Sequence, residues 1–207
     1  KQVLFAFALG CISGFGMPPW HHVYFLPVSF IALIWFIQEL TVWRAAFIGW
    51  IFGVGHFFIG FYWVGNAFLV DAERYGSLAP FAVIFLSCGL ALFVTPPVFL
   101  TCILRRQHQL STPNVITIFA ILWVTMEWLR SVVLSGFPWN LIGSVWGSSL
   151  EVMQFASISG VYGVGFLTLI IFSLPAVLGD KRLGRSQYVY LLLIGFLGSL
   201  IWLAGNY

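Results

Sequence analysis

Residues 191–205 form the apolar run LLLIGFLGSLIWLAG, and this stretch indicates the fold class of the whole chain. It contains no charged residue, and it does not alternate between apolar and polar positions as the strands of an outer-membrane barrel do. A helix needs about 20 apolar residues to cross the ~30 Å hydrocarbon core of a bilayer. The run therefore predicts a membrane-spanning helix.

The rest of the chain has the same character. Of its 207 residues, 61% are hydrophobic, 19% are aromatic and only 7% are charged, whereas a soluble domain carries about 25% charged residues. The mean hydropathy is +1.01. Because so few charges cannot cover a water-facing surface, we predict an all-α membrane protein, a polytopic bundle forming one transmembrane domain over residues 1–207. Its apolar runs predict about seven spans, near residues 3–16, 23–38, 45–66, 78–104, 115–134, 160–178 and 188–205.

The basic residues predict the orientation of this bundle, because lysine and arginine favour cytoplasmic loops. If the chain starts in the cytoplasm, seven of its nine basic residues fall on that side: Lys1, Arg44, Arg105, Arg106, Lys181, Arg182 and Arg185. Only Arg74 and Arg130 fall outside. We therefore expect residue 207 to lie in the periplasm, and because the chain stops there on an apolar run, we expect it to be a fragment.

Several kinds of site have no support in the sequence. Along the sequence the basic residues lie in loops between apolar runs rather than in one patch, so nucleic-acid binding is not expected. The three cysteines have no C-x-x-C spacing and lie in or at the ends of apolar runs, which is typical of buried thiols: Cys11, Cys88 and Cys102. The four histidines lack metal-ligand spacing, and neither a metal nor a cofactor is expected: His21, His22, His56 and His108.

Polar and aromatic residues cluster after the third apolar run. Tyr62 and Trp63 are followed by Asn66 and Asp71. Tyrosine and tryptophan at a helix end are commonly interfacial anchors, because one end of each ring is apolar and the other favours water. The alternative is that these four residues line the mouth of a cavity on the periplasmic face.

The fifth run ends with two charged residues, Glu127 and Arg130. They are three positions apart, so they share a helical face and can form an ion pair. Charges at membrane depth are costly and are candidates for function, although a structural clamp on the following turn is an equal alternative. In either case both should face protein. Gly136, Pro138 and Trp139 then indicate a helix exit in which Gly136 takes a left-handed conformation.

A third segment, residues 160–166, reads GVYGVGF. Small residues at this spacing let membrane helices approach closely, so we predict a packing contact here. Access for a lipid chain is the alternative.

Five motifs follow one another along the chain. They are Phe15-Gly16-x-Pro18 with Trp20, Gly60-x-Tyr62-Trp63, Leu122-Trp123-x-x-x-Glu127-Trp128-Leu129-Arg130, Ser135-Gly136-Phe137-Pro138-Trp139, and Gly160-Val161-Tyr162-Gly163. In this order and spacing they resemble the N-terminal membrane domain of the apolipoprotein N-acyltransferase family, over essentially the whole chain.

This resemblance implies an enzyme of the bacterial inner membrane. Such an enzyme transfers an acyl chain from a phospholipid to the N-terminal amine of the diacylglyceryl-cysteine of an apolipoprotein, without a cofactor. The resemblance also implies a periplasmic nitrilase-like domain that supplies a Glu, a Lys and a Cys. None of these three can be assigned here, so we expect the catalytic residues beyond residue 207 and no activity from this chain alone.

The membrane part is then expected to hold the lipid substrates beneath that catalytic domain. The candidate groove or docking residues are Tyr62, Trp63, Asn66, Glu127, Arg130 and Trp139. Among them, Arg130 could contact a lipid phosphate, because a guanidinium suits phosphate oxygens.

Two other functions remain open from the sequence. A small transporter would use Glu127, Arg130 and Asp71 as a polar pathway, although no internal repeat of the kind common in transporters is evident. A structural scaffold subunit would instead tolerate Glu127→Ala without loss of any activity.

Overall fold

The computed structural model describes residues 1–133 and 135–205, and its regular structure there is helical, which confirms the predicted all-α class. The α-helices are α1 (Gln2–Gly14), α2 (Phe25–Glu39), α3 (Val42–Gly60), α4 (Ala72–Tyr75), α5 (Ala79–Leu90), α6 (Thr95–His108), α7 (Thr112–Val132), α8 (Leu150–Gln154), α9 (Ala156–Ser173) and α10 (Gln187–Gly205). Short 3₁₀ segments join several of them. The predicted end of the fifth span at residue 134 and the predicted exit at residue 207 lie outside the described residues.

Four helical stretches are long and apolar enough to cross a membrane. They are Val42–Gly60, Ala72–His108, Thr112–Val132 and Ala156–Gly179. Two shorter apolar helices, Gln2–Gly14 and Phe25–Glu39, accompany them. The described part of the chain therefore contains several candidate membrane spans.

Two helices end or break where the apolar runs continue. The third span was predicted to reach residue 66, but α3 ends at Gly60, whose carbonyl accepts a hydrogen bond of 3.1 Å from the Trp63 indole. The fourth span is interrupted by a 3₁₀ turn at Ala91–Phe93. Pro96 and Pro97 follow this turn, and because proline lacks an N–H, two carbonyls of the preceding turn lose their helical donors.

The core of the bundle is built around Trp123 of α7. Phe30, Phe52 and Phe119 are fully buried beside it, and the Phe30 and Trp123 ring centroids are 5.4 Å apart in an edge-to-face arrangement. Edge-to-face pairs are favoured because the positive edge of one ring meets the negative face of the other. Trp123 thus joins α2, α3 and α7 at one point.

Helices α1 and α3 approach each other at backbone distance. A Cβ atom on Gly10 would collide with the Phe52 carbonyl, and one on Gly55 would collide with the Phe7 carbonyl. Close approach through glycine is a common mode of helix packing in membranes. It also brings the Ser13 hydroxyl to 2.8 Å from the His56 imidazole, so a buried polar pair lies between the two helices.

One end of the bundle gathers most of the basic residues. Arg106, at the end of α6, donates to the carbonyl of Leu40, which precedes α3. The Thr112 amide, at the start of α7, donates to Asp180, which follows the long helical stretch ending at Gly179. Arg182 donates to the carbonyl of Leu110. These contacts place the segments that carry Arg105, Arg106, Lys181, Arg182 and Arg185 side by side.

Asp180 joins several segments at the basic end of the bundle. Its carboxylate makes a two-point ion pair with Arg182, with N···O distances of 2.9 and 3.0 Å. It also accepts from the Thr112 amide and hydroxyl at 3.0 and 2.9 Å. The Arg182 guanidinium and then the Thr112 donors hold the pKa of the Asp180 carboxyl well below its usual range.

We expect Asp180→Asn to lower the free energy of unfolding by about 1–3 kcal/mol, because buried hydrogen bonds to a charged group are lost. A depressed folded-state pKa stabilises the fold above the unfolded pKa of about 4. The difference between wild type and variant should therefore persist from neutral pH to about pH 4 and shrink below it. Thermal unfolding in detergent across this pH range measures it. A difference that disappeared already near pH 6 would contradict this assignment.

Candidate functional site

The loop that follows α7 is held against that helix by its own backbone. The Phe137 amide donates to the Arg130 carbonyl at 2.9 Å, and Gly136 has a φ of +73°, the left-handed conformation predicted for it. The helix itself is capped earlier, by the extended residue Val133, so Gly136 turns the loop and does not cap α7. The chain therefore turns sharply and brings Pro138 and Trp139 back beside the end of α7.

Arg130 holds this loop in place through hydrogen bonds to its backbone carbonyls. Its guanidinium donates to the carbonyls of Phe137 at 3.0 Å and Trp139 at 2.7 Å, and it reaches Asn140 at 3.5 Å. The side chain is only 2% exposed, and it lies over the Phe57 ring at 5.3 Å, a cation–π distance. A planar guanidinium with five donors suits this task, because one side chain can reach several carbonyls at once.

Glu127 fixes the next part of the same loop. One of its carboxylate oxygens, Oε1, accepts from the Trp123 indole at 3.0 Å and from the Ile142 amide at 2.8 Å. Glu127 is 6% exposed, so both charged residues face protein, as predicted. Helix α7, which contributes Trp123 to the aromatic core, thus also anchors the loop.

The predicted ion pair between Glu127 and Arg130 does not form. Within residues 1–133 and 135–205 the one ion pair is Arg182 with Asp180. Glu127 and Arg130 share a helical face, but loop carbonyls occupy the guanidinium and a loop amide occupies the carboxylate. Each charged side chain therefore binds the backbone of the loop and not the other side chain. This arrangement agrees with the second interpretation of the sequence, a structural clamp on the turn that follows α7.

This geometry predicts different effects for two substitutions of Glu127. Glutamine keeps an Oε1 acceptor, and the Oε2 atom that it replaces has no hydrogen-bond partner in the described residues, so we expect Glu127→Gln to cost less than about 1 kcal/mol of stability. Alanine leaves the Ile142 amide and the Trp123 indole unpaired, and we expect Glu127→Ala to cost about 2–4 kcal/mol. Thermal unfolding in detergent measures both. Equal damage from Gln and Ala would show that the negative charge, not the acceptor, is required.

The clamped loop forms one wall of a groove of about 540 Å³. The lining residues come from three segments that meet at this end of the bundle: Pro18, Pro19, Trp63, Pro138, Trp139, Asn140, Leu141 and Ser144. The Trp63 and Trp139 rings pack against each other in this lining, with their centroids 6.0 Å apart. Most of the lining is apolar, so the groove suits a hydrocarbon chain better than a charged solute.

Of the six candidate residues, the structure brings four together. Trp63 and Trp139 line the groove, while Glu127 and Arg130 hold its wall. Tyr62 lies beside it, with its ring centroid 5.5 Å from that of Trp20.

The other polar residues of the third run lie apart from this cluster. Asn66 is exposed on the 3₁₀ segment Tyr62–Leu69. Asp71 is exposed where α4 begins, and no hydrogen bond or ion pair joins it to Glu127 or Arg130 in the described part of the chain. The contacts therefore do not link these residues into the polar pathway that a transporter would use.

The small residues of segment 160–166 make the predicted close contact at one position. Gly165 of α9 packs on Gly143, which lies in the 3₁₀ turn Ile142–Trp146 just after the clamped loop. A Cβ atom on Gly143 would collide with the Val161 carbonyl. Gly160 has a φ of +67° and kinks α9, with open space around it. The loop is thus held by α7 on one side and by α9 on the other.

The sequence interpretation missed three residues of this site. Asn140 lines the groove, and its Nδ2 atom lies against Gly60. Ile142 supplies the amide that Glu127 accepts. His56 is buried with its ring centroid 6.1 Å from that of Trp123. A polar residue directly after the aromatic exit motif was the available signal for Asn140, whereas a backbone amide leaves no signal in the sequence.

A second apolar cavity, of about 580 Å³, lies between α5 and α7. Its lining includes Phe85, Leu86 and Gly89 of α5 with Met126 and Leu129 of α7. Met126 and Leu129 are each one residue before Glu127 and Arg130, so one helix turn presents apolar side chains to this cavity and charged ones to the loop.

Comparison with known proteins agrees with the resemblance inferred from the motifs. Residues 9–174 match the family described as the apolipoprotein N-acyltransferase N-terminal domain. Proteins named apolipoprotein N-acyltransferase are similar to this chain. The one from Caulobacter vibrioides is 43% identical over 138 residues, 67% of this chain and 25% of that protein. The one from Rhodopseudomonas palustris is 34% identical over 213 residues, 99% of this chain and 39% of that protein.

A third relative, from Rickettsia prowazekii, is 34% identical over 176 residues, 83% of this chain and 34% of that protein. The chain thus spans between a quarter and two fifths of the length of these three relatives. Because the family match covers most of the chain, this chain belongs to the apolipoprotein N-acyltransferase family and corresponds to its N-terminal domain.

Proposed function

We propose that this chain is the membrane domain of an enzyme that transfers an acyl chain from a phospholipid to the N-terminal diacylglyceryl-cysteine of apolipoproteins. The observation that carries the proposal is the apolar groove lined by Trp63 and Trp139, whose wall Glu127 and Arg130 hold in place. In this proposal the groove receives hydrocarbon chains of the substrates at the membrane surface. The family to which the chain belongs supports the choice of reaction.

The proposed topology has seven spans in a bacterial inner membrane, with a cytoplasmic start and residue 207 in the periplasm. The gathering of basic residues at one end of the bundle supports it, because such residues favour the cytoplasmic side. Helix α7 has 21 residues and is therefore about 30 Å long, so it runs from that end to the groove. The groove then faces the periplasm.

The proposed role of this domain is orientation rather than affinity. Both substrates carry acyl chains, and burial of hydrocarbon gains about 0.8 kcal/mol per CH₂ relative to water, but little relative to a lipid bilayer. Holding two reactants in place is instead worth several kcal/mol of the barrier. A groove lined by the packed pair Trp63 and Trp139, with its wall held by Glu127 and Arg130, would provide such a fixed position.

The chemical step belongs, in this proposal, to a periplasmic nitrilase-like domain of the same protein. Its Glu, Lys and Cys have no counterpart assigned in residues 1–207. The proposed partners of the membrane domain are therefore a phospholipid acyl donor, a diacylated apolipoprotein and its own catalytic domain.

The test is complementation by the full-length protein in cells depleted of their own N-acyltransferase, with lipoprotein N-acylation measured by mass spectrometry. We expect the wild-type protein to restore triacylated lipoprotein. We expect Trp63→Ala combined with Trp139→Ala to lower N-acylation about 10-fold or more, because misplaced substrates lose the advantage of proximity.

Trp43→Ala is the matched control. Trp43 lies at the start of α3, whereas Trp63 follows the end of this helix, and the Trp43 side chain is 79% exposed. The Trp43→Ala substitution therefore removes an exposed tryptophan that does not line the groove. Failure of the wild-type protein to restore N-acylation would refute the proposed reaction. Equal activity of the double variant and the Trp43→Ala control would refute the role of the groove.

A further inference from the structure

The basic end of the bundle contains a polar pocket that the proposed reaction does not use. The pocket has a volume of about 390 Å³. Its lining consists mainly of long polar and charged side chains: Gln38, Glu39, Arg105, Arg106, Gln109, Leu110 and Arg182. It lies where α2 and α6 end and α7 begins, at the opposite end of α7 from the groove.

The arginines of this pocket differ in what they contact. Arg182 is neutralised by Asp180, and Arg106 uses one nitrogen, Nη1, on the Leu40 carbonyl at 3.1 Å. Arg105 is half-buried, and no side-chain hydrogen bond engages it in the described part of the chain. Two guanidinium groups therefore face the pocket without a carboxylate bonded to them, opposed by the single carboxylate of Glu39.

Neutral donors complete the lining. The Gln38 side-chain amide lies 3.3 Å from the Thr112 hydroxyl, whose one proton is donated to Asp180 at 2.9 Å, so Thr112 holds the amide at the edge of the pocket. The Gln109 side chain is exposed at the rim. Guanidinium forks with amide donors are suited to the oxygens of a phosphodiester anion.

We propose that this pocket binds the headgroup phosphate of an anionic phospholipid from the leaflet opposite the groove. The pocket lies where α2 and α6 end and the loops that follow them begin, so a phosphate bound there can keep its acyl chains against the helices. Basic pockets between membrane helices on the cytoplasmic side are typical headgroup sites. This inference goes beyond the proposed acyl transfer, since it concerns a lipid that is bound and not consumed.

The test uses the full-length protein in detergent, titrated with phosphatidylglycerol and, separately, with phosphatidylcholine, with bound lipid counted by native mass spectrometry. We expect preferential retention of phosphatidylglycerol. We expect Arg105→Gln to weaken it about 5-fold and Glu39→Gln to strengthen it by a similar factor, because one charge near a lipid phosphate has about this effect.

Arg185→Gln is the matched control, because it removes the same charge from the same end but does not line the pocket. Equal weakening by Arg105→Gln and Arg185→Gln would overturn the proposal in favour of general surface attraction. Inorganic phosphate is the competing probe. Displacement of phosphatidylglycerol by phosphate at comparable concentration would also overturn it, since the site would then be one for free phosphate. Both readouts are independent of N-acylation.

Discussion

Replacing Arg130 with alanine is expected to release the groove wall and to abolish most of the N-acylation proposed for the full-length protein. The side chain donates to the carbonyls of Phe137 and Trp139 from a buried position, and hydrogen bonds to charged groups contribute about 1.5–3 kcal/mol each. We therefore expect a loss of about 3–5 kcal/mol of stability in thermal unfolding. Because displacement of a substrate by about 1 Å can cost 100-fold in rate, we expect the proposed N-acylation to fall by about that factor.

Arg130→Lys separates the charge of this residue from its geometry. Lysine keeps the positive charge but offers a compact ammonium in place of a planar fork, so it cannot reach the carbonyls of Phe137, Trp139 and Asn140 together. We expect it to recover less than half of the lost stability and to leave the loop open to proteolysis within residues 135–149. Full recovery with lysine would contradict the clamp and would favour a role for the charge alone, such as contact with a lipid phosphate.

The sequence predicted the parts of this fold that depend on composition and periodicity. Uncharged runs such as residues 191–205 were sufficient to indicate a helical membrane protein, because the chain has too few charges to cover a water-facing surface. The cost of a charge at membrane depth was enough to predict that Glu127 and Arg130 face protein. The left-handed Gly136 followed from its place just ahead of a proline.

The parts that depend on contacts between distant segments could not be predicted in this way. Spacing on α7 made an ion pair between Glu127 and Arg130 reasonable, but the true partners are backbone groups of a loop, and any sequence supplies such groups equally. The early end of α3 depends on the Trp63 indole turning back to the Gly60 carbonyl. Asn66 was included because of its nearness to Trp63 along the chain, although the 3₁₀ segment exposes it.

The groove itself is a product of the same distant contacts. Its lining combines the turn at Pro18 and Pro19, the start of a 3₁₀ segment at Trp63 and the loop at Trp139. None of these segments is adjacent to another in sequence. They meet because the helices that carry them are packed closely, so the integrity of α1 against α3 determines whether the site exists at all.

This dependence makes Gly10→Ala a severe test of the fold. Alanine is the better helix former by about 0.8–1 kcal/mol, so local propensity alone predicts stabilisation. Its Cβ atom would instead collide with the Phe52 carbonyl, a backbone group that cannot rotate away. Helix α1 must then move off α3, which separates Ser13 from His56 and displaces the turn at Pro18. We expect a net loss of about 2–4 kcal/mol in thermal unfolding, with a lower yield of protein in membranes.

Gly195→Ala in α10 provides the matched comparison for this substitution. It makes the same chemical change inside an apolar helix, but a Cβ atom there meets no atom within 4 Å. Only the higher helix propensity of alanine then affects stability. Gly195→Ala should therefore be neutral or slightly stabilising, whereas Gly10→Ala is destabilising. If the two variants unfolded at the same temperature, α1 and α3 could not be in backbone contact. The position of the groove between their ends would then lose its structural basis.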